Sequence, residues 1–378
     1  MRPDAIIVAA EPSGDALGAA LFKSLKRLQP DIAVEGLGGE TMRAAGLPSD
    51  VSMDGLAILG FIEGLKAYRH VLKKVRDVSD HILDRNPRSI VLIDSWGFMV
   101  RVAKRLKSKG YRGIIIKYVA PQVWAMRSGR ANVLARYVDH LLSTQPMDGP
   151  YFEAAGLPLS YVGNAVFDRD YRAGDAKAFR ARHQLGSAPL IGVFFGSRPS
   201  EIDRIGADIL RNAQTVKSSI PNARLVFSIA EPIREAVEAL IKDVDGVAIG
   251  SDEMIDMFSA LRGAVACSGT ITSQLAAAGV PTTVLYKLQP LTFLIARHLF
   301  KPDHISLVNI AAGKTLMPEF MQGDVESDRP AQALLAIIRD ERRRSEAATQ
   351  LIEQSKMMAA ATSASDAAAA KILELLNA

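Results

Sequence analysis

The sequence predicts an α/β protein of two doubly wound domains in tandem, closed by a helical C-terminal segment. Two observations carry that prediction. Short, continuously apolar, β-branched runs alternate with helical patterns in the first half, and the same alternation restarts after residue 186. Apolar runs without a polar alternation imply parallel strands covered on both faces.

In the first half the runs are Ala5–Ala10, Ser89–Asp94 and Gly113–Val119, with a further strand closing at Leu37-Gly38-Gly39. In the second they are Leu190–Phe195, Arg224–Ile229, Gly263–Cys267 and Thr282–Tyr286. Between the two series Asp168-Arg169-Asp170-Tyr171-Arg172-Ala173-Gly174-Asp175 is polar and reads as a linker, so the expected domains are 1–167 and 186–345, followed by C-terminal helices over 346–378. The last stretch is alanine-rich with a basic run at Arg342-Arg343-Arg344, which suits closing and surface helices rather than a site.

Composition narrows the class. Hydrophobic residues are 48% and charged ones 23%, as in an ordered globular protein. A single cysteine, Cys267, cannot form an internal disulfide and favours a reducing compartment. The opening MRPDAIIVAAEPSGD fits neither a signal nor a transit peptide. No apolar stretch reaches the roughly 18 residues of a membrane span. Lys and Arg exceed Asp and Glu by 46 to 41, a modest basic excess compatible with several anionic partners.

Ligands of open α/β sheets bind beyond the carboxyl ends of strands, at helix N-termini. After the first strand come Glu11-Pro12-Ser13-Gly14-Asp15. Ser13 reads as an N-cap and Asp15 as a first-turn acid, so a capped helix accounts for both, whereas Glu11 faces the ligand crevice. Gly38 and Gly39 allow close backbone approach, to a ligand or within a turn. Asp94, before Ser95-Trp96-Gly97-Phe98, is a candidate general base, with helix capping as the bland alternative. Gly196-Ser197-Arg198 offers backbone donors, a hydroxyl and a guanidinium to a phosphate or diphosphate. Ser268-Gly269-Thr270 repeats that theme, with Gln274 one turn further. Neither turn is a Walker A loop or a GxGxxG fingerprint, which disfavours nucleoside triphosphate hydrolysis and a dinucleotide cofactor. Asp243-Val244-Asp245 lies at the wrong sheet edge for a metal site, and the six histidines lack ligand spacing, so no metal and no cofactor are expected.

Lys66, Arg69, His70, Lys73 and Lys74 recur at helical spacing, and the apolar Leu56–Ile62, with Leu59 and Phe61, precedes them. A basic stripe beside apolar side chains suits an anionic leaflet, and a solvated helix face suits it as well. No nucleic-acid module is present.

The ordered set Ala10-Glu11-Pro12-Ser13-Gly14-Asp15, Gly38-Gly39 with Met42 and Gly46, Ile93-Asp94, Tyr118–Ala125, Gly196-Ser197-Arg198 with Ser200-Glu201-Ile202, Ser268-Gly269-Thr270, Tyr286-Lys287 and Leu307-Val308-Asn309 resembles the lipid-A-disaccharide synthase family over nearly the whole chain. That resemblance implies two Rossmann-like domains in the GT-B arrangement. It also implies inverting, metal-free transfer of diacylglucosamine from UDP to lipid X (2,3-diacylglucosamine 1-phosphate). In its terms Asp94 and Arg198 are catalytic. Glu11, Ser13 and Trp124 would face the acceptor, Ser197, Thr270, Gln274 and Asn309 with the turn at Ser268-Gly269 the nucleotide, and Asp15, Gly38 and Gly39 would also bind substrate. The implied location is cytoplasmic, peripheral to the inner membrane through Leu59, Phe61, Lys66, Arg69, Lys73 and Lys74, and a homodimer is left open. The chain departs from the family pattern at Trp96-Gly97, where Pro-Asp is common, and at Asn164, Phe195 and Gln274. Three other readings stay open: another UDP-sugar transferase with a lipid acceptor, a nucleotide-sugar 2-epimerase, and a non-catalytic lipid-binding relative.

Overall fold

The computed structural model describes residues 2–49, 51, 53, 64–289, 293–294 and 299–378, with side chains from residue 69 onward in the stretch that begins at 64. The chain forms two compact units, Met1–Ala165 with Ala359–Ala378, and Val166–Met358.

The first unit runs β1 (Ala5–Ala9), α1 (Pro12–Leu28), β2 (Val34–Leu37), α2 (Glu40–Ala44), α3 (Gly64–Arg85), β3 (Ser89–Ile93), α4 (Trp96–Ser108), β4 (Ile114–Tyr118), α5 (Arg130–Ala135), β5 (His140–Ser143), α6 (Gly149–Ala154) and β6 (Leu159–Tyr161). Its parallel sheet has the order β2-β1-β3-β4-β5-β6. The central strands β1 and β3 are almost wholly apolar because both faces are covered. Ile6, Val8, Ile90 and Leu92 pack with α3 and α4, while Ile7, Ala9, Val91 and Ile93 pack with α1 and the last helix, Ala364–Asn377. That helix carries the alanine run: Ala368 and Ala369 are buried, and Asp366 accepts a 2.6 Å hydrogen bond from Ser24 of α1. Small side chains let the two helices approach closely.

The second unit comprises α7 (Ala176–Arg182), β7 (Leu190–Phe194), α8 (Pro199–Ser218), β8 (Arg224–Ser228), α9 (Arg234–Ile241), β9 (Gly246–Ile249), α10 (Met254–Ala260), β10 (Leu261–Cys267), α11 (Thr270–Ala277), β11 (Thr282–Tyr286) and β12 (Glu319–Met321), with further helices at Leu307–Ala312, Arg329–Ile338 and Glu341–Met357. The strand order is β12-β11-β10-β7-β8-β9, again parallel. Ile191, Val193 and Phe195 share one face with α8, and Leu190 and Phe194 share the other with α10 and α11. Phe195, one of the departures from the family pattern, stacks on Phe227 at 6.3 Å and is fully buried.

Candidate active site

Each sheet reverses its winding once, between β1 and β3 in the first unit and between β7 and β10 in the second. Loops diverge at such a switch point and open a crevice at the strands' carboxyl ends. The four loops singled out for Glu11, Asp94, Arg198 and Ser268 follow those four strands.

In the first unit, Glu11 is the exposed N-cap of α1 and Pro12 its first residue. The expected cap at Ser13 is therefore corrected. A proline at N1 pre-sets the helical φ and starts the helix two residues earlier, leaving Ser13 exposed in the first turn. Across the switch point Ser95 Oγ donates a 2.6 Å hydrogen bond to Glu11 Oε1.

Asp94 and Ser95 both lie in the left-handed region, at φ 50° and 39°. Two consecutive non-glycine residues there cost about 1–3 kcal/mol each, strain that persists only where surrounding contacts impose it. Val119, at the end of the adjacent β4, has φ 69°, a rare state for a β-branched residue. The half-buried Asp94 carboxylate makes no side-chain hydrogen bond among the described residues, while its backbone N–H donates to Tyr118 O at 2.9 Å. The N-cap of α4 is Ser95, without any side-chain cap, so Asp94 does not serve as a helix cap.

Beneath this turn lies a group the sequence reading missed. Lys117 of β4 is 1% exposed, and its Nζ donates to the carbonyls of Asp94 at 2.6 Å, Tyr118 at 3.1 Å and Leu92 at 3.3 Å. Burial pulls its pKa down to about 7, against the opposing effect of Asp94. The only signal was a lysine inside the run Ile114-Ile115-Ile116-Lys117-Tyr118.

Asp15 is buried and accepts from the backbone N–H of Gly39 and Thr41, each at 2.7 Å, and from Met42 at 3.3 Å. It anchors the β2–α2 turn. A Cβ on Gly38 would come within 2.3 Å of Met42 Sδ, and one on Gly39 within 2.9 Å of Asp15 Oδ2. Close packing inside the protein therefore accounts for both glycines. Trp124, expected on the acceptor surface, is only 5% exposed. It packs near Asp148, a residue absent from the sequence reading. Burial raises the Asp148 pKa to about 6, although Ser143, Gln145 and Trp124 act against that rise.

In the second unit the Gly196-Ser197-Arg198 turn folds back onto its own helix. Glu201 Oε2 accepts from Ser197 N at 2.9 Å and Arg198 N at 3.2 Å, and Glu201 Oε1 from Arg198 Nη1 at 2.7 Å. The backbone donors expected to meet a phosphate here are thus occupied by a glutamate at the third helical position. The Arg198 side chain remains 75% exposed. By contrast, α11 starts at Gly269 with no side-chain cap, and nothing lies within 4 Å of a Cβ placed on Gly269. Gly269 and Thr270 are exposed and Ser268 half-buried, so this is the open helix start of the two.

Gln274 reaches Tyr171, whose pKa burial raises and this hydrogen bond lowers. Asn309 is fully buried. Its Oδ1 accepts from Leu316 N at 2.8 Å and Met317 N at 3.0 Å, and its Nδ2 donates to Met317 O at 2.7 Å. Asn309, expected on the nucleotide side, clasps the backbone at Leu316 and Met317 through both atoms of its amide. Beside α8 a cleft of about 510 Å³ is lined by Arg204, Lys287, Gln289 and Gln322 among others. Burial lowers the Lys287 pKa, but ion pairs with Asp208 at 2.7 Å and Glu326 at 2.8 Å raise it overall.

Of the basic stripe, Arg69, His70 and Lys73 are exposed on α3 beside Leu72, and Lys74 is half-buried with a partner. Leu59 and Phe61 lie outside the described residues, as does the Lys66 side chain. Among the described residues no helix is long and apolar enough to cross a membrane, and no three His, Cys, Asp or Glu side chains gather as a metal ion requires.

Solved structures share this architecture at low identity, which makes the likeness one of fold alone. The UDP-GlcNAc 2-epimerase of Methanocaldococcus jannaschii superposes with a TM-score of 0.58 at 12% identity, covering 99% of each chain. The spinosyn rhamnosyltransferase superposes at 0.54 and 13% identity, over 99% of this chain and 100% of that one. Sequence relatives are much nearer. The lipid-A-disaccharide synthase of Rhodospirillum centenum is 36% identical over 92% of this chain and 88% of its own, and that of Pseudomonas putida 31% identical over 90% and 91%. The lipid-A-disaccharide synthetase family pattern matches residues 5–373, so the chain belongs to that family and is a glycosyltransferase of lipid A biosynthesis.

Proposed function

We propose that this enzyme transfers 2,3-diacylglucosamine from its UDP carrier to lipid X, releasing UDP and inverting the anomeric carbon in a single displacement. Asp94 is the base: its carboxylate takes the proton of the acceptor hydroxyl as that oxygen attacks the anomeric carbon. The bond from that carbon to the diphosphate oxygen breaks, and the electron pair leaves with UDP. Arg198 and the open start of α11 at Ser268-Gly269-Thr270 stabilise the charge that develops on the diphosphate. Glu11, oriented by Ser95, and the exposed Ser13 bind the acceptor. Asp15, Gly38 and Gly39 shape the turn beside them, and Asn309 and Gln274 act by holding the loops of the nucleotide side.

One observation supports the base assignment above the others: Asp94 stands at a switch point in a strained turn, with a carboxylate that makes no hydrogen bond among the described residues. Such strain clusters at reactive sites. Acyl chains on both substrates suit a protein that touches the membrane, and the exposed Arg69 and Lys73 beside Leu72 are the described part of that surface.

The test is UDP release by the purified protein from UDP-2,3-diacylglucosamine, with and without lipid X, in EDTA. The reading requires release that depends on lipid X and survives the chelator. Release without acceptor would replace it with a hydrolase, and no release with either set would replace it with a binding protein or, where the donor is converted to a second UDP-sugar, with an epimerase.

A further inference from the structure

We infer that Lys117 is a positioning residue for catalysis: its buried Nζ clamps the Asp94 turn so that the Asp94 carboxylate is presented to the acceptor. The inference rests on the reading of Asp94 as the base.

The geometry matches donor number to acceptor number. An ammonium has three N–H donors, and Lys117 Nζ has three carbonyls in reach, those of Leu92, Asp94 and Tyr118. The shortest of the three bonds goes to Asp94 itself. The acceptors all belong to two adjacent strands, β3 and β4, and to the residue that follows β3. Two of the three bonded carbonyls lie in or beside the residues with left-handed backbone. Asp94 carries one of them, Ser95 follows it, and Val119 follows the carbonyl of Tyr118. Tyr118 O also accepts the Asp94 N–H, so the same peptide is gripped from both strands. Strained conformers persist where such contacts over-determine them. The Asp94 carbonyl is turned inward to Lys117, and its side chain makes no hydrogen bond among the described residues.

Lys117 touches no substrate in this account, and its test reads turnover separately from binding. Four proteins are compared, wild type, Lys117→Met, Asp94→Ala and the double variant, by kcat and by KM for UDP-2,3-diacylglucosamine and lipid X. A displaced reactive group costs on the order of 10²-fold in rate, so Lys117→Met should lose about 10- to 100-fold in kcat with both KM values within about threefold. In the Asp94→Ala background the same change should cost nothing more, because residues acting through one group are non-additive. Wild-type kcat in Lys117→Met, a rise in KM that accounts for the loss, or losses that multiply in the double variant would each overturn the positioning role while leaving Asp94 as the base. Wild-type kcat in Asp94→Ala would instead overturn the base assignment. Should Lys117→Met fail to fold, Lys117→Gln, whose shorter side chain has two N–H donors for three carbonyls, is read in the same cycle by the same criteria.

Discussion

Ser95 donates its hydroxyl proton to Glu11 Oε1 at 2.6 Å, tying the loop after β3 to the loop after β1 across the point where the sheet reverses its winding. The carboxylate is exposed, so the bond fixes its direction without burying it. A hydrogen bond to a charged group is worth about 1.5–3 kcal/mol. Glu11→Gln should therefore reduce kcat/KM for the acceptor by about tenfold or more, with the donor KM unchanged, as initial rates over a lipid X series would show.

Arg198 and Glu201 divide two tasks at the start of α8. Glu201 closes the helix start, and Arg198 carries the exposed charge. Arg198→Ala should cost about 10²–10³ in kcat, the usual loss when one donor to a developing anion is removed. Glu201→Gln should lower stability by about 1 kcal/mol as the cap weakens. Chemical denaturation separates the second effect from the first.

Asp148 gives stability a pH signature. Its carboxyl ordinarily titrates near 4, and in the folded protein at about 6. Between those values the folded chain holds a proton that the unfolded chain has released. The associated stability is fully present below about pH 4 and is lost as pH rises through 6, a difference of about 3 kcal/mol. Urea melts at pH 4.5 and pH 7 should show Asp148→Asn without that decline and more stable than wild type at pH 7.

The proposed membrane contact through α3 predicts charge-dependent sedimentation. Arg69→Glu with Lys73→Glu should weaken binding to anionic vesicles by about tenfold or more, since each basic residue near such a surface contributes about 1 kcal/mol. The loss should disappear on neutral vesicles.

Much of this architecture is legible in the chain. β1, β3, β4, β7, β8, β10 and β11 stand out as β-branched runs because both faces of each strand are buried. Short strands such as β6, Leu159-Ser160-Tyr161, and β12, Glu319-Phe320-Met321, are only three residues long and carry no period to read. Loops at the switch points were legible as well, because Glu11, Asp94, Arg198 and Ser268 directly follow apolar runs. What those loops do internally was not. Glu201 occupying the Ser197 and Arg198 amides, Asp15 holding Gly39, and Asn309 clasping Met317 are contacts that only the fold defines. Lys117 was hidden for a related reason. A lysine one residue from a strand end resembles an exposed terminus until β3 and β4 are seen side by side.

The most direct test of the account is the turnover of Asp94→Asn at saturating UDP-2,3-diacylglucosamine and lipid X. An amide of the same shape cannot take the acceptor's proton, so kcat should fall by about 10²–10⁴ while both substrates bind as in wild type. A kcat within about threefold of wild type would contradict the assignment of Asp94 as the base.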